Sequence, residues 1–283
     1  MQTPEDLVAN IKTLVSFPEV FLQLQELIDT PTATLSQCAA VVEKDPAIAA
    51  KVLGLANGAF YGSRTRVETL TRAVNILGMT QLHDLVLATS AIRMFRKVAQ
   101  RVPNMDQFWR QSILCGLLAK TLAEKCLLQD AERIFLQGLL HDIGHLVLYM
   151  VMPNQIRQIM DIAKTRDEPE FVTERRLLGF DYGDVGEALM RAWRLPPSIQ
   201  ETVRFHIEPC LAKEFILESS LVHLAWVHVL ADAHGDQHPG MVPGVDSVAW
   251  DLTVLTQADV QESMLNAQHL LQETVALFIS GEH

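Results

Sequence analysis

Apolar side chains along this chain recur at helical rather than alternating intervals. In its most apolar stretch, Leu136, Leu139, Leu140, Ile143, Leu146, Val147 and Met150 share one face at three- and four-residue spacing. The same period runs through "TLSQCAAVVEKD" and "PAIAAKVLGLAN", the second with Pro46 in a first-turn position, where its missing N–H costs nothing. "LTRAVNILG" is predicted to stop at Gly78, and "TQLHDLVLATSAIRMF" follows with Thr80 as its expected N-cap. A long helix is predicted from Asp106 to Cys126, and a last one over 256–280. No run alternates apolar and polar residues between turn signals, so the expected fold class is all-α.

Three stretches interrupt the pattern: "KVAQRVPNM" (97–105), the charged "TRDEPE" (165–170), and the Gly/Pro-rich "HGDQHPGMVPGVD" (234–246). The first is the expected boundary between an N-terminal helical lobe, 1–100, and a second lobe, 101–283, that includes the C-terminal helix. The "ANGAFYG" turn uses Gly58 and Gly62 for backbone freedom and is expected to set Phe60 and Tyr61 between the lobes, with an aromatic partner-binding loop as the alternative. No internal repeat is present.

Composition narrows the partners. With Lys plus Arg at 23 and Asp plus Glu at 34, the formal net charge is −11, and such a surface repels phosphate backbones. Nucleic acid is therefore not expected as a partner, and the cations of "SAIRMFRKVAQR" read as a solvated helix end. Cys38, Cys115, Cys126 and Cys210 form no CxxC pair and lie among apolar neighbours, as expected of reduced, buried thiols in a cytoplasmic protein. The start, "MQTPEDLVAN", lacks the basic and apolar regions of a signal peptide. Residues 136–153 approach the length of a membrane span. However, Asp142 at its centre would cost about 2.5–3.5 kcal/mol in a bilayer, and the helical period marks a core helix instead.

That core helix carries His141, Asp142 and His145. Histidine and aspartate are metal ligands, and equally they are partners in buried hydrogen bonds, so the residues alone leave both roles open. The stretch is similar to a zincin HExxH with aspartate for glutamate, but Gly144 weakens the helix and no third ligand follows at zincin spacing. His223 and His228 lie on an apolar helix and read as core-edge residues. Neither a Gly-rich phosphate loop nor a nucleophile elbow is present.

Five motifs in order, "DPAIAAKVLGLANGAFYG", "VETLTRAVNILG", "FWRQS", "GLLHDIG" and "RAWRLPPSIQETVRFHIEP", resemble the HDOD family over roughly residues 10–235. These bacterial HD-related output domains are all-helical relatives of the HD-superfamily metal-dependent phosphohydrolases. For the parent superfamily the resemblance implies a His, a His-Asp dyad and a distal Asp on facing helices, holding a divalent metal whose bound water becomes the nucleophile. His141 and Asp142 match the dyad. Gln111 stands where the first histidine is implied, and Trp226, in "VHLAW", where the distal aspartate is implied. Asp232, six residues on, lies about 240° further round a helix and cannot substitute. Of the extra histidines of two-metal relatives, Tyr182 replaces one and His206 remains.

Two ligands from one dyad do not make a tight metal site. His141 and Asp142 are therefore expected to form a buried hydrogen-bonded pair tying helices together, with no catalytic residues and no resident cofactor. A weak Fe, Mn or Zn site rebuilt from His141, Asp142, His145 and His206 is the alternative. The resemblance and the ligand loss together imply a non-catalytic bacterial signalling module, acting on other signalling proteins or holding a small ligand in a vestigial cleft, with no membrane involved. The rival is a metal-dependent phosphohydrolase of nucleotides or cyclic dinucleotides. No receiver or EAL segment accompanies the motifs, so input is expected from a separate molecule, and the oligomeric state stays open.

Overall fold

The computed structural model describes residues 2–11, 17–58, 67–96, 104–234 and 237–279, and among them there is no strand. The fold is all-α, as the periodicity predicts. Gly62, Phe60 and Tyr61 lie outside the described residues, as does most of 97–105.

The chain divides into two compact units, Met1–Leu14 with Val98–Ala267, and Val15–Lys97 with Gln268–His283. The smaller contains α2 (Glu19–Ile28), α3 (Leu35–Val42), α4 (Pro46–Asn57) and α5 (Leu70–Arg96). The larger contains α1 (Pro4–Ile11), α6 (Met105–Lys125), α7 (Ala131–Leu140), α8 (Ile143–Val151) and α9 (Pro153–Arg166). It continues with α10 (Glu170–Leu178), α11 (Tyr182–Ala192), α12 (Pro197–Phe205), α13 (Ile216–His234) and α14 (Ser247–Thr253). The residues of α15 (Gln257–Ile279) are divided between the two units at Ala267.

In the smaller unit Pro46 takes its predicted first-turn place and Gly78 interrupts the helix as predicted, whereas Thr80 does not cap the next one. Asp45 caps α4 by accepting from the Ala47 and Ile48 amides at 3.0 and 3.2 Å, and Pro46 follows it. Thr34 and Gln37 form a capping box on α3. Gly78 breaks α5 with a left-handed φ of 77°, and helical backbone resumes directly after it, so Thr80 lies within the first turn and is not the cap. Arg93, from the basic stretch, pairs with Asp45 at 2.9 Å. Lys51 donates to the Phe278 carbonyl at 3.0 Å, fastening the end of α15 to α4.

In the larger unit, α6 packs on α7 and α13, and α11 packs on α8 and α12. α6 is buried on most of its circumference, with Trp109 and Ile113 on one side and Leu118 and Leu122 on the other, while α13 buries Leu221, Val222, Leu224 and Ala225. The expected single helix through His141 is in fact two, since His141 and Asp142 form the turn between α7 and α8. The apolar period runs on through this turn because both helices bury their faces in the same core. Gly144 explains the geometry: a Cβ there would collide with the Tyr182 carbonyl, so the start of α8 lies against the start of α11. Two segments, Ala131–Val151 and Ile216–His234, are long and apolar enough to cross a membrane by length and composition. The first is 89% buried inside the fold, as a core helix is.

The thiols are free, but not uniformly buried as expected: Cys38 and Cys115 are buried, Cys126 is half-buried and Cys210 is exposed. Cys210 is exposed because it lies in the link between α12 and α13, in a one-turn helix, Pro209–Leu211, with its amide 3.4 Å from the Asp246 carboxylate.

Gly144→Ala should destabilise the protein by about 3 kcal/mol, because the obstacle is backbone rather than a flexible side chain. Urea denaturation checks this. A midpoint equal to that of the parent would mean that α8 and α11 are not in backbone contact.

Candidate functional site

Three imidazoles, of His141, His145 and His206, and three carboxylates, of Asp142, Glu170 and Glu174, gather around the turn at His141–Asp142 in the larger unit. Asp142 occupies the N-cap position of α8 and accepts a short hydrogen bond from His145 Nδ1, one turn later. On its other side, His145 Nε2 donates to Glu174 Oε1 at 3.0 Å, with Glu170 Oε2 at 3.4 Å. Both glutamates come from α10, one turn apart, so this imidazole fastens α8 to α10. Glu174 is 1% exposed and uses its second oxygen to accept from the Tyr182 amide at 2.8 Å, joining the start of α11 to the same knot. Burial alone would push the His145 pKa down. The Asp142 and Glu174 carboxylates outweigh it and hold the group well above the ordinary imidazole value, so it is an imidazolium. Glu170 is raised, by burial first; His145 opposes the rise, while Glu174 and Asp142 add to it.

A second layer is neutral. The Tyr182 ring stacks on His145 at 3.9 Å and 19°, and its hydroxyl donates to His206 Nε2 at 3.0 Å. His206 Nδ1 donates to the Val203 carbonyl at 2.8 Å, so both ring nitrogens are engaged. Burial, with His141 nearby, holds His206 well below its ordinary pKa. His141 packs edge-on against His206 at 5.0 Å and donates from Nδ1 to the Gly138 carbonyl at 2.6 Å. Its pKa is lowered by burial, although Asp142 and the carbonyl oppose this. Trp226 meets His206 edge-on at 5.3 Å. His223 donates to the His206 carbonyl at 2.7 Å and accepts from the Asp246 amide at 2.9 Å, a wholly structural use of both nitrogens.

These groups border a cleft of about 320 Å³, lined among others by Gln111, Asp142, His145, Glu170, Tyr182 and Trp226. Neither His141 nor His206 is among its lining residues; both rings lie in the layer behind it. Asp232 is exposed on α13.

The HDOD domain family model matches residues 14–209. The chain belongs to the HDOD family. Its solved relatives include an HDOD domain protein of unknown function from Geobacter sulfurreducens, at 20% identity and TM-score 0.73, covering 98% of both chains. A provisionally named phosphohydrolase from Shewanella amazonensis SB2B is similar at 22% identity and TM-score 0.72, covering 96% of this chain and 97% of that one. A provisionally named signal transduction protein from Marinobacter aquaeolei VT8 matches at 24% identity and TM-score 0.69, over 98% of this chain and 62% of that one. These likenesses establish a shared HDOD fold. An uncharacterized protein from Treponema pallidum (strain Nichols) is 27% identical over 200 residues, 69% of this chain but only 38% of that protein's own length.

Within this HDOD fold the expected His141–Asp142 pair takes a different form. His141 bonds back to Gly138 and Asp142 forward to His145, so the two neighbours find separate partners within three residues of themselves. The tie between helices is made instead by His145 with Glu170 and Glu174, and the sequence reading missed both glutamates. Their signal was present: two carboxylates four residues apart, on the first two turns of a helix that begins at the last residue of "TRDEPE". A divalent metal of the kind HD relatives imply does not fit these side chains as they are arranged. Among the described residues no three His, Cys, Asp or Glu groups converge to hold one. His206 has no free nitrogen, His145 carries protons on both, and positions 111 and 226 offer an amide and an indole.

His145→Ala should lower stability by about 3–5 kcal/mol, since it leaves the buried Glu174 carboxylate without its cation. Asp142→Ala should cost less, about 1–2 kcal/mol, because that carboxylate is partly exposed. The folded pKa of His145 is raised above its ordinary 6.5, so its contribution is complete below about pH 6.5 and is lost as pH rises through the folded value. Denaturation of parent and His145→Ala across pH should show a gap that narrows towards alkaline pH. A gap that widens there would contradict the imidazolium.

Proposed function

We propose that this HDOD chain is a non-catalytic signal-transduction module of the bacterial cytoplasm, acting through other signalling proteins or through a small ligand held in its cleft. One observation carries the reading: the polar groups around the His-Asp dyad are consumed by one another. An HD-type hydrolase needs ligands from several helices to converge on a metal that keeps an open position for water. Here His206 is held between Tyr182 and Val203, His145 is held among carboxylates, and the Trp226 indole stands against His206. The remaining acceptor of the dyad, His141 Nε2, lies behind the cleft and not on its wall. A chain without a catalytic centre can still transmit a signal by changing which surfaces it presents, and the name of the Marinobacter relative agrees with that role.

The test incubates the full chain with Mn²⁺ or Fe²⁺ and a panel of nucleotides and cyclic dinucleotides. No turnover above the metal-only background is expected. Turnover that disappears in His141→Ala would overturn the reading in favour of a phosphohydrolase.

A further inference from the structure

The cleft of the larger unit has the wrong chemistry for a phosphate. No Lys or Arg lines it among the described residues, whereas Asp142 and Glu170 do. Together with Glu174 behind them, these carboxylates share a single imidazolium, His145, so this wall carries an excess of negative charge. Aromatic rings supply much of the remaining wall. Phe171 and Trp226 stand 6.2 Å apart at 55°, and Phe108 also lines the space. Arg175 stacks on Phe171 at 5.1 Å, but its guanidinium is bonded to Asp181 and to Glu208, each at 2.6 Å.

We propose that this cleft binds a small organic cation, an ammonium with an apolar body, its charge set against Asp142 and Glu170 and its body against Trp226 and Phe171. The proposal rests on the non-catalytic reading of the same cleft. An ammonium gains twice there, from carboxylates in a partly dry wall and from the negative faces of aromatic rings. A phosphate or nucleotide would meet that excess of negative charge, and the one cation on the wall, His145, is already engaged by Asp142, Glu170 and Glu174. The cleft, at about 320 Å³, sits at the lower end of the roughly 300–1,000 Å³ usual for small-molecule sites, so the ligand is small.

Calorimetric titration of the full chain tests this with choline and phenyltrimethylammonium as probes. 3,3-Dimethyl-1-butanol serves as the uncharged isostere of choline, and AMP, inorganic phosphate and Mn²⁺ are titrated separately. Saturable binding of the ammonium probes is expected, with the neutral isostere weaker by about tenfold or more. Glu170→Gln, which keeps shape and removes charge, should weaken the ammonium probes by about tenfold, and Trp226→Phe by several-fold. Thermal melts confirm that both variants are folded; should one fail, the other and the neutral isostere still decide. Absence of saturable ammonium binding, equal binding of the isostere, or a preference for AMP, phosphate or Mn²⁺ would overturn the proposal. Nucleotide turnover, measured separately, would defeat the non-catalytic reading itself, whereas failure of ammonium binding without turnover removes only this inference.

Discussion

His145 is the constraint around which the larger unit is arranged. A buried carboxylate such as Glu174 is stable only beside a positive charge or several donors, and here it has one of each: the imidazolium and the Tyr182 amide. That single requirement brings α8, α10 and the start of α11 to one point. It also obliges Gly144 to lack a side chain, since the Tyr182 carbonyl occupies the space. The charge on His145 is not an independent property of the residue. It follows from the carboxylates around it, just as the neutrality of His206 follows from burial, with a tyrosine hydroxyl on one nitrogen, a carbonyl on the other and, among the described residues, no carboxylate bonded to it.

The same arrangement underlies the non-catalytic role proposed above. In an HD-type centre, histidine nitrogens must be free to bind a cation. Here a tyrosine at position 182 donates to His206 and stacks on His145, and an indole at position 226 packs edge-on against His206. An uncharged, hydrogen-bonded and aromatic layer has formed behind a cleft whose wall remains acidic. These mutual contacts join α8, α10, α11 and α12 within the HDOD fold.

Much of the fold was legible in the sequence because helices buried on one face repeat their apolar residues every turn. Pro46, Gly78 and Asp106 marked boundaries by local chemistry, and the structure puts helix ends within a residue or two of each. The turn at His141–Asp142 was hidden because α7 and α8 bury into one core and their apolar pattern does not pause. The short α14 was hidden because its seven residues, directly after the Gly/Pro-rich stretch, are too few to show a helical period. At the site, the motifs located His141, Asp142, His145 and His206, together with the replacements at 111, 182 and 226. The pairing of His145 with Glu174, 29 residues away, is a tertiary fact. No local spacing encodes it, so Glu170 and Glu174 read only as the edge of a charged turn and a helix surface.

The most direct measurement is long-range ¹H–¹⁵N correlation of the histidine rings in the ¹⁵N-labelled protein near neutral pH. His145 should appear doubly protonated, while His141 and His206 should appear neutral with the proton on Nδ1, and none should shift on adding Mg²⁺. A neutral His145, or a ring shift of His141 and His206 together on adding the divalent ion, would show that these histidines are poised for a metal and not for one another.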